Sequence, residues 1–152
     1  MNYLFQVMET QPQHAVAIRT MTTEKELPAL VGEVFNSLME YISKLDALAI
    51  GPAFIGYHNM DEDNLDVEIG FPVGEHLEGE GDIKGSLIPG GKRVTGYYKG
   101  AYAYMPYYHE ELFKWILLND LEPTGVVYEY YFNSPGNVPD NELLTKIEYL
   151  LK

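Results

Sequence analysis

Val126-Val127-Tyr128-Glu129-Tyr130-Tyr131-Phe132 is a run of bulky apolar and aromatic residues with one carboxylate at its centre. Such a composition predicts a strand. Alternation along it sets Val127, Glu129 and Tyr131 on one face and Val126, Tyr128, Tyr130 and Phe132 on the other. Glu129 is therefore drawn partly out of water, which is costly for an unpaired charge. It must be neutralised, paired with a base or kept for a ligand. A tyrosine-rich cavity around one carboxylate suits an apolar aromatic cation, because each ring face over a cation contributes about 0.5–2 kcal/mol.

The end of this run recurs earlier in the chain: Tyr57-His58-Asn59 matches Tyr131-Phe132-Asn133 after a short length change. Elsewhere a constant offset sets Val16 on Val94, Pro28 on Pro106, Glu33 on Glu111 and Phe35 on Phe113. The same offset sets Leu38 on Ile116, Ile69 on Ile147 and Phe71 on Tyr149. Such self-similarity implies a duplicated unit. Periodicity supplies its elements. Ala15–Met21 alternates as a strand, and Leu27–Leu48 carries a helical stripe of Leu30, Val34, Leu38, Tyr41, Ile42 and Leu45 behind Pro28. Ala53–His58 and Leu65–Val73 form a hairpin around Asn59–Asn64. The second half repeats the order with Arg93–Lys99, a helix over Pro106–Asn119, Val126–Phe132 and Leu144–Leu150. Further short strands are expected near Tyr3–Val7 and Asp82–Ile88. The glycine-rich stretch from Gly74 to Gly91 reads as turns joining the halves. The expected fold is α+β: two strand-helix-strand-strand units forming a concave antiparallel sheet with two main helices. It is expected as a single domain over 1–152, with repeats at about 1–75 and about 80–152.

Twenty-three acidic residues against 10 Lys and Arg leave a net charge of -13, a field that attracts cations and disfavours direct contact with nucleic acid. The absence of cysteine removes thiol chemistry and thiolate metal sites. No apolar run approaches the roughly 20 residues that cross a bilayer, and the N-terminal stretch lacks a signal-peptide pattern, so a cytoplasmic protein away from the membrane is expected. The acidic turn Asp61–Asp66 lacks the glycine and terminal glutamate of a calcium loop. His14, His58, His76 and His109 are scattered without metal-ligand spacing, and neither a metal nor a cofactor is expected.

Several segments, in order, resemble one family: Gly51-Pro52-Ala53-Phe54-Ile55-Gly56-Tyr57, Asp66–Val73, Ile88-Pro89-Gly90-Gly91-Lys92, Lys99-Gly100-Ala101-Tyr102, Trp115-Ile116, Tyr128–Tyr131 and Leu144–Ile147. Together they are similar to the gyrase-inhibitor-like small-molecule-binding domain, the effector-binding module of drug-responsive bacterial transcription regulators. The resemblance implies a duplicated strand-helix-strand-strand fold whose aromatic pocket holds the ligand. It also implies that Glu129, at the position of the family's late-strand glutamate, is the central contact to organic cations. The chain starts at its first strand, without a preceding helix-turn-helix, and so reads as a stand-alone member. Gly100-Ala101-Tyr102 stands where the family often has Gly-Pro-Tyr.

The expected ligand-binding residues are Glu129, Tyr131, Tyr57, Tyr102, Phe54, Ile55 and Trp115, with a lipophilic cation as the ligand. Each has a plainer reading. Glu129 could pair with Lys146 on the next strand, and Trp115 could be helix core beside Leu112 and Ile116. Most of the 13 tyrosines must be structural, and Glu68 is expected to face solvent. Two other functions stay open. Some family members hydrolyse reactive electrophiles, with Glu129 then a general base toward a water and Tyr57 or Tyr131 the hydrogen-bond donor to the leaving part. The founding member inhibits a gyrase, a role an acidic surface could serve.

Overall fold

Residues 4–152 are described by the structure, a computed structural model. The chain forms two units, one of residues 11–90 and the other of residues 91–152 with the N-terminal stretch up to Thr10. The first strand, β1 (Gln6–Thr10), belongs to the second unit, where it pairs with a later strand. Tyr3, expected near this strand, lies outside the described residues.

The unit of residues 11–90 contains β2 (Gln13–Thr22), α1 (Leu27–Lys44), β3 (Ala53–Tyr57), β4 (Leu65–Pro72), β5 (Gly79–Glu80) and β6 (Ile83–Ile88). Its strands pair antiparallel in the order β3-β4-β2-β6-β5. Pro28 occupies the first turn of α1, where its missing N–H costs nothing. Val34, Leu38, Tyr41 and Ile42 bury one face of the helix. Phe35 meets Phe71 of β4 at 5.3 Å between ring centroids, so α1 covers the sheet face that carries Leu65, Val67, Ile69 and Phe71. Phe54 lies on the other face, against Gly70 and Ala17, where an added Cβ at Gly70 would come within 2.8 Å of the Phe54 ring. The small residues of this face make room for that ring.

The second unit repeats the arrangement. It contains β7 (Gly91–Lys99), α2 (Met105–Leu118), β8 (Pro123–Tyr131) and β9 (Leu144–Leu151), with strand order β1-β7-β9-β8. A 3-10 turn over Tyr102–Tyr104 leads into α2. Both units thus show the strand-helix-strand-strand order expected from the sequence, with antiparallel ladders and one helix each. The ladder register makes the correspondence residue by residue. Ile18, Ile69 and Ile55 stand opposite one another across β2, β4 and β3. Gly96, Ile147 and Glu129 do so across β7, β9 and β8.

The helices require one correction to the sequence matching. α1 ends at Lys44, before the expected Leu48, because Asp46 enters the left-handed region at φ 52°. The Ala47 N–H then donates to the Ile42 carbonyl and the Asp46 N–H to that of Ser43, a Schellman closure. α2 closes identically: Asp120 has φ 56°, Leu121 donates to Ile116 and Asp120 to Leu117. Aligned on these ends, Leu38 corresponds to Leu112 and Ile42 to Ile116, and Phe35 corresponds to His109. Glu33-with-Glu111, Phe35-with-Phe113 and Leu38-with-Ile116 are each one turn out of step. α1 spans 18 residues and α2 spans 14, so the difference is close to a whole turn of about 3.6 residues. That shift keeps every residue on its face.

Candidate functional site

In the second unit, α2 covers the face of β7, β9 and β8 that carries Gly96, Ile147 and Glu129. Gly96 permits this approach, because a Cβ there would strike the Tyr108 hydroxyl of α2. The helix so placed brings His109 over β9 and β8. Its Nε2 lies 2.8 Å from Oε2 of Glu129, and its Nδ1 lies 2.7 Å from the Tyr149 hydroxyl. The other carboxylate oxygen of Glu129 accepts a hydrogen bond from the Tyr131 hydroxyl at 2.6 Å. Glu129 is 8% exposed. Four side chains from α2, β8 and β9 therefore form one hydrogen-bonded chain, Tyr149–His109–Glu129–Tyr131.

Aromatic rings surround this chain. Tyr102 meets Tyr131 edge-on at 6.0 Å, and Tyr149 packs against the His109 ring and Phe113. The charge of Glu129 reaches both outer tyrosines. Burial, and then that charge, raise the Tyr149 hydroxyl well above the ordinary phenol range and raise the Tyr102 hydroxyl in the same direction. A phenol so placed stays protonated and acts as a donor. The cluster can thus present a carboxylate, oriented by two donors, beside aromatic faces.

The expected residues are distributed as follows. Glu129, Tyr131 and Tyr102 come together. Trp115 packs edge-on against Phe5 at 5.9 Å and is not part of the cluster. Phe54, Ile55 and Tyr57 lie on β3 of the other unit, with Phe54 and Ile55 buried and Tyr57 half-buried. Lys146 is not the partner of Glu129. It stands opposite Tyr130 on the reverse face, its Nζ 4.4 Å from that ring. Glu68, expected to face solvent, is largely covered and accepts a hydrogen bond from the Ser86 hydroxyl at 2.7 Å. His109 and Tyr149 were missed as site residues. The usable signal was their register, since they occupy the places that Phe35 and Phe71 hold in the first unit. Glu129 likewise stands where that unit has Ile55.

Among the described residues, no cluster of His, Asp and Glu could hold a metal ion. No helix there is long and apolar enough to cross a membrane.

A family model, the GyrI-like small molecule binding domain, matches residues 5–152. No curated protein matches the chain significantly. Among solved structures, the crystal structure of the EcmrR C-terminal domain is similar over 100% of this chain and 99% of that one, with a TM-score of 0.83 and 22% identity. EcmrR in its DNA complex, solved by cryo-EM, is similar at TM-score 0.85 and 21% identity over 99% of this chain. The match spans 57% of that longer EcmrR chain. SAV2435 bound to tetraphenylphosphonium is similar at TM-score 0.68 and 12% identity, over 100% of this chain and 94% of that one.

Proposed function

The chain belongs to the family of GyrI-like small molecule binding domains, and on that basis we propose that it captures lipophilic organic cations, with Glu129 as their charge partner. One observation carries the reading. Ile55, Phe35 and Phe71 in the first unit correspond to Glu129, His109 and Tyr149 in the second, so the same local fold is built in the first unit without the polar cluster. Polar groups that folding does not demand, brought together on one face among tyrosine rings, are the expected mark of a ligand site. The tetraphenylphosphonium bound by SAV2435 is a cation of the proposed class: bulky, apolar and without hydrogen-bond donors. Tyr131 and Tyr102 supply ring faces, and the whole chain reads as one binding domain. Its role would be that of a sensor or scavenger in the cytoplasm, without contact to nucleic acid.

Titration calorimetry with tetraphenylphosphonium tests this. Wild type is expected to bind, and Glu129→Gln to bind at least tenfold more weakly, a loss of about 1.4 kcal/mol. Equal affinity in the two proteins would remove Glu129 from the centre of the function. The hydrolase reading uses the same carboxylate and separates from binding in one respect: turnover of an electrophilic substrate, abolished by Glu129→Gln while the neutral substrate is still held.

A further inference from the structure

We infer that His109 is the positioning residue that keeps Glu129 available to a cation, and that Glu129 and Tyr149 together hold His109 in the one neutral tautomer able to do so. The inference rests on the binding reading above. Its geometry is that of a relay with a fixed direction. The Glu129 carboxylate can only accept, so Nε2 of His109, 2.8 Å from it, donates; Nδ1 of the neutral ring is then the acceptor, and the Tyr149 hydroxyl at 2.7 Å donates to it. A neutral imidazole that accepts at Nδ1 must carry its proton on Nε2. That proton points at Oε2 of Glu129, 2.8 Å away, while Tyr131 donates to Oε1. In this state the carboxylate is hydrogen-bonded at both oxygens and still carries a full negative charge.

Protonation of His109 reverses the arrangement. Both ring nitrogens then become donors, the Tyr149 oxygen must accept, and an imidazolium sits against Glu129. The site is then internally neutralised, and a proton on His109 takes the place of the ligand's charge. Groups on the surrounding elements do not supply a competing cation. On β8 the group facing His109 besides Glu129 is Tyr131, on β9 it is Tyr149, and the turn before α2 contributes Tyr102, which senses the Glu129 charge. Strand β7 turns Val94 and Gly96 toward α2, while its Arg93 is paired with Glu148 on the reverse face at 3.1 Å. On α2 itself, Glu110 is exposed, and Glu111 is paired with Lys114 at 3.6 Å. Cation and proton should therefore be mutually exclusive through one imidazole.

The test is tetraphenylphosphonium titration at pH 8 and pH 5.5 with wild type, His109→Gln and Tyr149→Phe, together with nitrogen NMR of the His109 ring in ligand-free protein. Glutamine keeps an N–H donor at the reach of Nε2 but does not titrate. Wild type is expected to bind more weakly at pH 5.5 than at pH 8, because an imidazolium against Glu129 competes with the ligand's charge. His109→Gln should bind with the same affinity at pH 8 and pH 5.5, whatever that affinity is relative to wild type, because the amide does not titrate. NMR should show the Nε2–H tautomer in wild type, and a weaker bias toward it in Tyr149→Phe, where Nδ1 loses its donor but Glu129 still faces Nε2. The same acid sensitivity in wild type and His109→Gln, or an Nδ1–H tautomer in wild type, would overturn the role of His109. Absence of wild-type binding at pH 8 would instead overturn the cation reading, and the proton–cation competition would fall with it.

Discussion

Arg93 and Glu148 form a charged pair withdrawn from water. Their side chains are almost wholly buried at 3.1 Å, on the face of β7 and β9 away from α2, and Thr95 donates a further hydrogen bond to Glu148 at 3.2 Å. Burial and the charge of Glu148 push the Tyr130 hydroxyl far above its ordinary range, so it too is a donor to that carboxylate. Arg93→Met should destabilise the protein by about 3–5 kcal/mol in urea titration, because it strands Glu148 without its counter-charge. Arg93→Met with Glu148→Leu should recover most of the loss, which would show the cost to lie in the unpaired charge. At this scale the sequence is half legible. Glu129 announces itself as a carboxylate in an apolar run. Its partner does not, because His109 is twenty positions away on a helix, and helical spacing is equally compatible with core or surface. Lys146 looked the better partner because it neighbours Glu129 in the ladder, yet a one-residue step along a strand reverses the face.

At the scale of elements, order and type could be read with little loss. Alternation located the strands, and Pro28 and Pro106 located the helix starts. The helix register could not be read, because a slip of four residues leaves an amphipathic stripe nearly unchanged. Only the paired Schellman ends at Asp46 and Asp120 fix it. Their left-handed residues are aspartates rather than glycines, so the usual punctuation was missing. Helix and sheet differ in a compensated manner between the units: Gly96 and Tyr108, which meet in the second, stand where the first has Ile18 and Val34. Gly96→Ala should therefore cost about 1–3 kcal/mol in thermal or denaturant unfolding, since the new methyl meets the Tyr108 hydroxyl and, at 3.0 Å, the Phe5 ring. Adding Tyr108→Phe should return part of that loss.

For the molecule as a whole, the correspondence between units supplies a direct experiment. A chain carrying Glu129→Ile, His109→Phe and Tyr149→Phe gives the second unit the residues that the first already uses. It should fold, with an unfolding free energy equal to that of wild type or up to about 2 kcal/mol above it, because an apolar cluster replaces a desolvated polar one. It should also lose tetraphenylphosphonium binding. A variant that failed to fold would show that the cluster is structural. The first unit is then a worked example, within the same chain, of how this architecture stands up without the polar cluster. Two copies of one scaffold under different demands let specificity drift at positions 109, 129 and 149 while the ladders and helix ends stay put. Change of ligand in such a protein would be a matter of a few side chains on a frame whose tolerance has already been tested.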